Sequence, residues 1–277
     1  MMAAAITMIF TGCSKESGNG RLVVKITDAP FPVELIDWAN VTITKVEIRK
    51  AGDGIPDESP FSVIWTGSEV FNLLELRNGV VDELLSLEIP AGEYDLIRLY
   101  VDEASLKVND GETYSVKVPS GQQTGIKLFI SPGLFVRDGL TSELLLDFDL
   151  SNSFVLQGNM DSPAGIKGFN FKPVIRAVNN STAGTLQGTV TEVIDAVNVP
   201  VGGVSIEVFQ DGVSISSAST DSDAANETPD GFYAIPGLPS GKYTVVAKKD
   251  LYNTITTENV DIAAGSMTKL DLVLVKQ

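Results

Sequence analysis

The chain has 277 residues, 43% of them hydrophobic, and its 36 acidic against 20 basic residues give a formal charge of −16. This hydrophobic share excludes a disordered chain, the length accommodates one or two domains, and an acidic surface without a basic stripe excludes a nucleic-acid partner. With no histidine and one cysteine, Ser-His-Asp and Cys-His catalysis, Cys/His zinc sites and an internal disulfide are excluded as well.

Residues 1–12 read MMAAAITMIFTG and carry no charge. The run is too short to span a bilayer, which takes about 20 residues, and has the length of a signal-peptide apolar region. Phe10-Thr11-Gly12-Cys13 resembles the lipobox of bacterial lipoprotein signal peptides. That resemblance implies cleavage before Cys13, acylation of its thiol, and a chain held at the cell envelope, on the outer membrane or cell surface. Two or three acyl chains anchor firmly where one does so marginally, at about 0.8 kcal/mol per buried CH₂. The basic residues that normally precede such a run are missing, as expected if the natural start lies upstream. Ser14-Lys15-Glu16-Ser17 is similar to the polar surface-export signals of Bacteroidetes lipoproteins. Residues 1–19 are thus expected to form a signal peptide and acylated linker.

From residue 20 the hydrophobic period is two. Leu22, Val24 and Ile26 alternate with Val23, Lys25 and Thr27, and Val41, Ile43, Val46 and Ile48 follow with a skip that predicts a bulge or a change of face. Further strands are predicted at 62–66, 93–101, 104–109, 113–118, 126–130, 143–150 and 169–178, with a hairpin at 108–112. Residues 80–87 (VVDELLSL) are predicted as a one- or two-turn helix. The polar stretch 179–184 reads as a linker. Beyond it, strands at 185–193, 203–209, 212–219, 231–235, 242–248, 254–261 and 267–275 have the spacing of a sandwich. The expected fold is all-β: two β-sandwich domains in tandem, over 20–178 and 185–277, with at most one short helix.

Segments of the second unit, Gly184-Thr-Leu-Gln-Gly-Thr-Val190, Pro200-Val-Gly-Gly-Val-Ser-Ile-Glu-Val208, Asp230-Gly-Phe-Tyr-Ala-Ile235 and Gly237-Leu-Pro-Ser-Gly-Lys-Tyr-Thr-Val245, resemble the carboxypeptidase regulatory-like domain. The resemblance implies a transthyretin-like sandwich, classed with carbohydrate-binding-like folds, that serves as a non-catalytic accessory or spacer. Gly20-Arg-Leu-Val-Val-Lys-Ile-Thr-Asp-Ala-Pro30, Asn72-Leu-Leu-Glu-Leu-Arg-Asn-Gly79, Pro90-Ala-Gly-Glu-Tyr-Asp-Leu-Ile-Arg-Leu99, Leu146-Asp-Phe-Asp149 and Phe171-Lys-Pro-Val-Ile-Arg176 resemble a lipoprotein family called "domain of unknown function 4382". It imports an extracytoplasmic, lipid-anchored β-domain and no defined activity.

Four constellations carry chemistry. The long loop 220–231 gathers Asp221, Asp223, Asn226, Glu227 and Asp230, oxygen donors of the kind Ca²⁺ takes; a solvated acidic loop accounts for the same residues. Asp147 and Asp149 project to one strand face. Paired carboxylates serve glycoside hydrolysis when about 5–10 Å apart across a cleft, whereas an outer face paired with Arg98 or Lys127 needs no chemistry. Asp28 reads as a turn cap or a cation ligand. Trp38, Trp65, Tyr94 and Tyr100 offer flat faces for a sugar, or simply core.

The function expected from these readings is a lipid-anchored envelope protein, not an enzyme, acting as a binding or adhesion module toward a glycan or another envelope protein. It needs no cofactor unless the acidic loop takes Ca²⁺. The alternatives are a scaffold subunit assembled by strand addition and a carboxylate-dependent hydrolase.

Overall fold

The computed structural model describes residues 18–29, 36–52, 60–109, 111–116, 118, 123–158, 165–222 and 229–277. The first half of the chain forms β1 (Asn19–Ala29), β2 (Ile36–Lys50), β3 (Phe61–Asn72), β4 (Asp82–Pro90), β5 (Gly92–Val108) and β6 (Thr113–Val116). It continues with β7 (Ile126–Val136), β8 (Thr141–Asp149), the one-turn helix α1 (Leu150–Ser153), β9 (Phe154–Gly158), β10 (Ile166–Phe171) and β11 (Ile175–Asn179). Nine of these strands pair in the order β3-β2-β5-β7-β11-β8-β1-β4, with β6 beside β5, and β9 and β10 form a ribbon.

The sheet folds over at its middle. β11 meets β7 through one pair, Ala177 with Ile130, but meets β8 antiparallel along its whole length. The two halves share one core. Leu22, Val24 and Ile26 of β1 and Phe148 of β8 share it with Val41, Ile43, Val46, Ile48 and Leu99, every one at most 1% exposed. The expected bulge in β2 is present: the register slips between Ile43 and Lys45 against both neighbours.

The second half forms β12 (Ala183–Ile194), β13 (Val197–Pro200), β14 (Ser205–Gln210), β15 (Val213–Ser219), β16 (Phe232–Pro239), β17 (Gly241–Lys248), β18 (Ile255–Ile262), β19 (Met267–Lys269) and β20 (Leu272–Leu274). One sheet has β12 between β13 and β16, with β19 and β20 parallel to β12; the other runs β15-β14-β17-β18. Leu186, Val190, Ile206, Val208, Tyr233, Ile235, Tyr243 and Val245 fill the space between them.

Three expectations are corrected. The helix over 80–87 is instead strand β4, paired with Asn19–Ile26 of β1. Asn78 and Gly79 both have positive φ, 54° and 81°, the backbone of a type I′ turn, which launches a strand. Leu84 and Leu85 are both buried, which made the segment look helical. The strand expected over 169–178 is two strands, because Pro173 lacks the N–H a ladder needs and lies between β10 and β11. Conversely, 93–101 and 104–109 form one continuous strand, β5, which meets β2 throughout. Among the described residues no helix is long and apolar enough to cross a membrane.

Candidate functional site

Cys13 lies outside the described residues, as do Asp223, Asn226 and Glu227 of the acidic loop. Asp221 and Asp230 are placed at the base of that loop, which is closed by Asp221 N–H to Phe232 O at 2.9 Å and Gly231 N–H to Asp221 O at 2.8 Å. Among the described residues no three acidic side chains come close enough together to hold a metal ion.

The Asp147–Asp149 strand face is not an outer one. β11 enters the sheet beside β8 and puts Arg176 opposite Asp147 in register. Asp147 is 5% exposed; its Oδ2 takes Nε of Arg176 at 3.1 Å, accepts a second bond from Nη2 of the same guanidinium, and accepts Ser216 Oγ–H of the second unit at 3.2 Å. The partner expected there was Arg98 or Lys127. Arg98, in the other half of the sheet, instead binds Glu47 at 3.0 Å, and Lys127 sits opposite Arg98 in register. Asp149 caps α1, its Oδ1 accepting the Asn152 N–H at 3.0 Å. Asp28 plays the cap role expected of it, Oδ1 accepting the Leu150 N–H at 3.1 Å, while Oδ2 has no hydrogen-bond partner among the described residues. Burial, then the nearby Asp147 charge, push the Asp28 carboxyl well above the usual range. Burial raises Asp147 too, against the pull of Arg176.

The four aromatics picked from the sequence form no common platform. Tyr94 and Tyr100 are buried, donating to Pro90 O at 2.7 Å and Glu47 Oε2 at 3.1 Å. Trp65 packs on the core, and Trp38 is half-buried on β2. Around Glu47 the outer face is tightly engaged: Lys45 lies 3.7 Å over the Tyr100 ring and Arg98 3.7 Å over Phe61. Burial raises the Glu47 carboxyl, but the bonds from Lys45 and Tyr100 outweigh it and hold it low.

One concave feature of this unit is a slot in the sheet itself. β11 separates β7 from β8 but stops at Asn179, level with Leu144 of β8. Beyond that point β7 runs on to Val136 and β8 begins at Thr141, with no strand of the described residues between them. The resulting cleft, about 270 Å³, is lined by Phe135, Arg137, Leu140, Ser142, Asn179 and Thr182 among others. Ser142 Oγ–H donates to Phe135 O at 2.9 Å across the gap. Asn179, 3% exposed, donates from Nδ2 to Gly133 O at 3.0 Å, and its buried Oδ1 has no partner among the described residues. Phe135 and Leu140 are 55% and 56% exposed. Arg137 forms no ion pair among the described residues.

Sequence reasoning missed these residues. Asn179 reads as linker, and the slot depends on where β11 ends, which no local pattern encodes. One signal was available: in Leu134-Phe135-Val136 the flanking residues are fully buried, so an aromatic sits in the outward register.

Fold and site define a protein of two all-β modules in tandem, joined through a turn that borders a cleft. Residues 19–173 match the family model described as Domain of unknown function (DUF4382), and residues 185–275 match the Carboxypeptidase regulatory-like domain. The first match spans more than half of the chain, which belongs to the Domain of unknown function (DUF4382) family.

A comparison with curated proteins finds no match. Among solved structures, the Bacillus anthracis TIE protein aligns at 11% identity and TM-score 0.25, over 94% of this chain and 35% of that one. The chain thus spans about a third of that structure's length. The minor pilin GBS52 of Streptococcus agalactiae aligns at 11% identity and TM-score 0.27, over 94% of this chain and 97% of that one. The major pilin subunit BcpA of Bacillus cereus aligns at 9% and 0.24, over 94% and 100%.

Proposed function

We propose that this protein is a lipid-anchored envelope protein that acts as a non-catalytic binding or adhesion module with a glycan as ligand. The observation that carries the reading is the fate of the carboxylates. Asp147, Asp149 and Asp28 are engaged in an ion pair and in helix capping, not set across a cleft as acid and base. The lipobox-like segment at Cys13 supports the anchor, and the carboxypeptidase regulatory-like domain supports an accessory role. The acidic loop at Asp221, Asp223, Asn226 and Asp230 is a proposed Ca²⁺ site within this reading.

An array of glycans and envelope components, probed with Ca²⁺ and again with EDTA, tests it. A specific hit is expected, and loss of that hit in EDTA assigns the loop to Ca²⁺. A blank from folded protein overturns the glycan ligand. The anchor is tested separately: Cys13→Ala is expected to abolish fatty-acid labelling, and unchanged labelling refutes acylation there.

A second reading has its own observation. Among the described residues β3 pairs with β2 alone; it is 12 residues long and exposes Val63 and Val70 by more than half. A long exposed edge of this kind is a template for strand addition. Under that reading size-exclusion chromatography shows polymers; monomer alone at all concentrations sinks it.

A further inference from the structure

We infer that the slot between β7 and β8 is a binding site for a single polyhydroxylated ring, one sugar residue of a glycan, held by Phe135, Arg137 and Asn179. The inference rests on the glycan-binding reading and places its site. The argument is one of complementarity. Asn179, which lines the slot, carries a buried acceptor, Oδ1, with no partner among the described residues, and buried polar atoms are rarely left so. A ligand hydroxyl that reaches it supplies the missing donor, which a fully ionised sulfate or a pure hydrocarbon cannot.

Phe135 and Leu140 offer apolar surface at the mouth, so the ligand must also have an apolar face. Arg137 brings donors and a charge with no carboxylate to neutralise it among the described residues, so the ligand must carry an acceptor. A sugar ring has all three: hydroxyls that donate and accept, and a C–H face that stacks on an aromatic. The volume, about 270 Å³, lies just below the range of sites for drug-sized ligands, which suits one ring and not a chain of them. The hydroxyls of Ser142 and Thr182 already donate to Phe135 O and Asn179 O, so they are left to a ligand only as acceptors, and the donors on offer come from the guanidinium.

The test uses the purified full chain on a glycan array, followed by calorimetric titration with glucose, galactose and their uronates. Phe135→Ala and Arg137→Ala are compared with the parent, and near-ultraviolet circular dichroism verifies their fold. Both side chains lie on the outer register, so both variants are expected to fold. Array binding that weakens at least about fivefold in Phe135→Ala, the size of an aromatic contact, supports the slot. A larger loss for uronates than for neutral sugars in Arg137→Ala assigns the guanidinium to a carboxylate; an equal loss assigns it to a hydroxyl. Array binding retained within twofold by both variants overturns the slot and leaves the glycan reading standing. No glycan bound by folded protein overturns both.

Discussion

Tyr94 and Tyr243 do the same thing in two different domains. Each follows a Pro-x-Gly-x-Tyr segment, Pro90 to Tyr94 and Pro239 to Tyr243, and each sends its hydroxyl back to the carbonyl of that proline, at 2.7 and 2.6 Å. The bond ties the tight connection between β4 and β5, and between β16 and β17, to a ring buried in the core. Tyr94→Phe and Tyr243→Phe are each expected to cost about 1 kcal/mol, the net worth of such a bond. Sites this independent should add in the double variant, which urea unfolding of the three variants checks.

Asp28 works in the opposite direction. Its folded-state pKa is raised by burial and by Asp147, so the native state holds a proton that the unfolded chain releases. That group is harmless below the unfolded carboxylate value, about 3.9, and stability is lost as pH rises from there through the raised folded value. Asp28→Asn keeps an oxygen for the Leu150 N–H and removes the charge. The variant is expected to unfold at higher urea than the parent at pH 7, with the gap closing near pH 4. An equal gap at both pH values would contradict the assignment.

At the level of elements, close approach decides more than propensity. A Cβ placed on Gly188 of β12 would lie 1.9 Å from the carbonyl oxygen of Leu270. That carbonyl cannot retreat, because Tyr233 donates to it at 2.6 Å and the Leu270 N–H is bound to Gln187 O at 2.8 Å. Gly188→Ala is therefore expected to destabilise the second unit by about 1–3 kcal/mol, as overpacking does, measurable as a lowered thermal midpoint. The strands themselves were largely legible in the sequence. Alternation marked β1, β2 and most of the second unit, and the skip after Ile43 marked the bulge. What misled was a pair of adjacent buried leucines, Leu84 and Leu85, which fit a helix face as well as a doubly covered strand. The site was hardly legible. The insertion of β11 between β7 and β8 gives Asp147 its partner, Arg176, and opens the slot beyond Asn179; both depend on strand order, which local pattern does not carry.

The two units meet through specific contacts. Ser216 of β15 donates to Asp147 of β8. A Cβ on Gly237 of β16 would lie 2.8 Å from Leu145 Cδ2, and one on Gly79 would lie 3.0 Å from the Ala234 Cβ. Polar and apolar groups thus share one seam, and Arg176 is its charge reservoir. Ser216→Asp sets a second carboxylate against Asp147 where one guanidinium has to serve both. The variant is expected to open the seam at neutral pH, seen as a larger radius of gyration in solution scattering, and to close it again in acid as the pair takes up a proton.

The place of β1 bears on how the molecule carries load. The strand leaves Gly18 and lies between two neighbours, β4 antiparallel over Asn19–Ile26 and β8 parallel over Arg21–Ala29. A pull delivered through the segment before Gly18 therefore runs along the strand, across two ladders of hydrogen bonds at once, and must shear them together instead of unzipping them one by one. A protein fastened to a surface through that segment would grip under tension with its strongest geometry, and would yield first somewhere else along the chain.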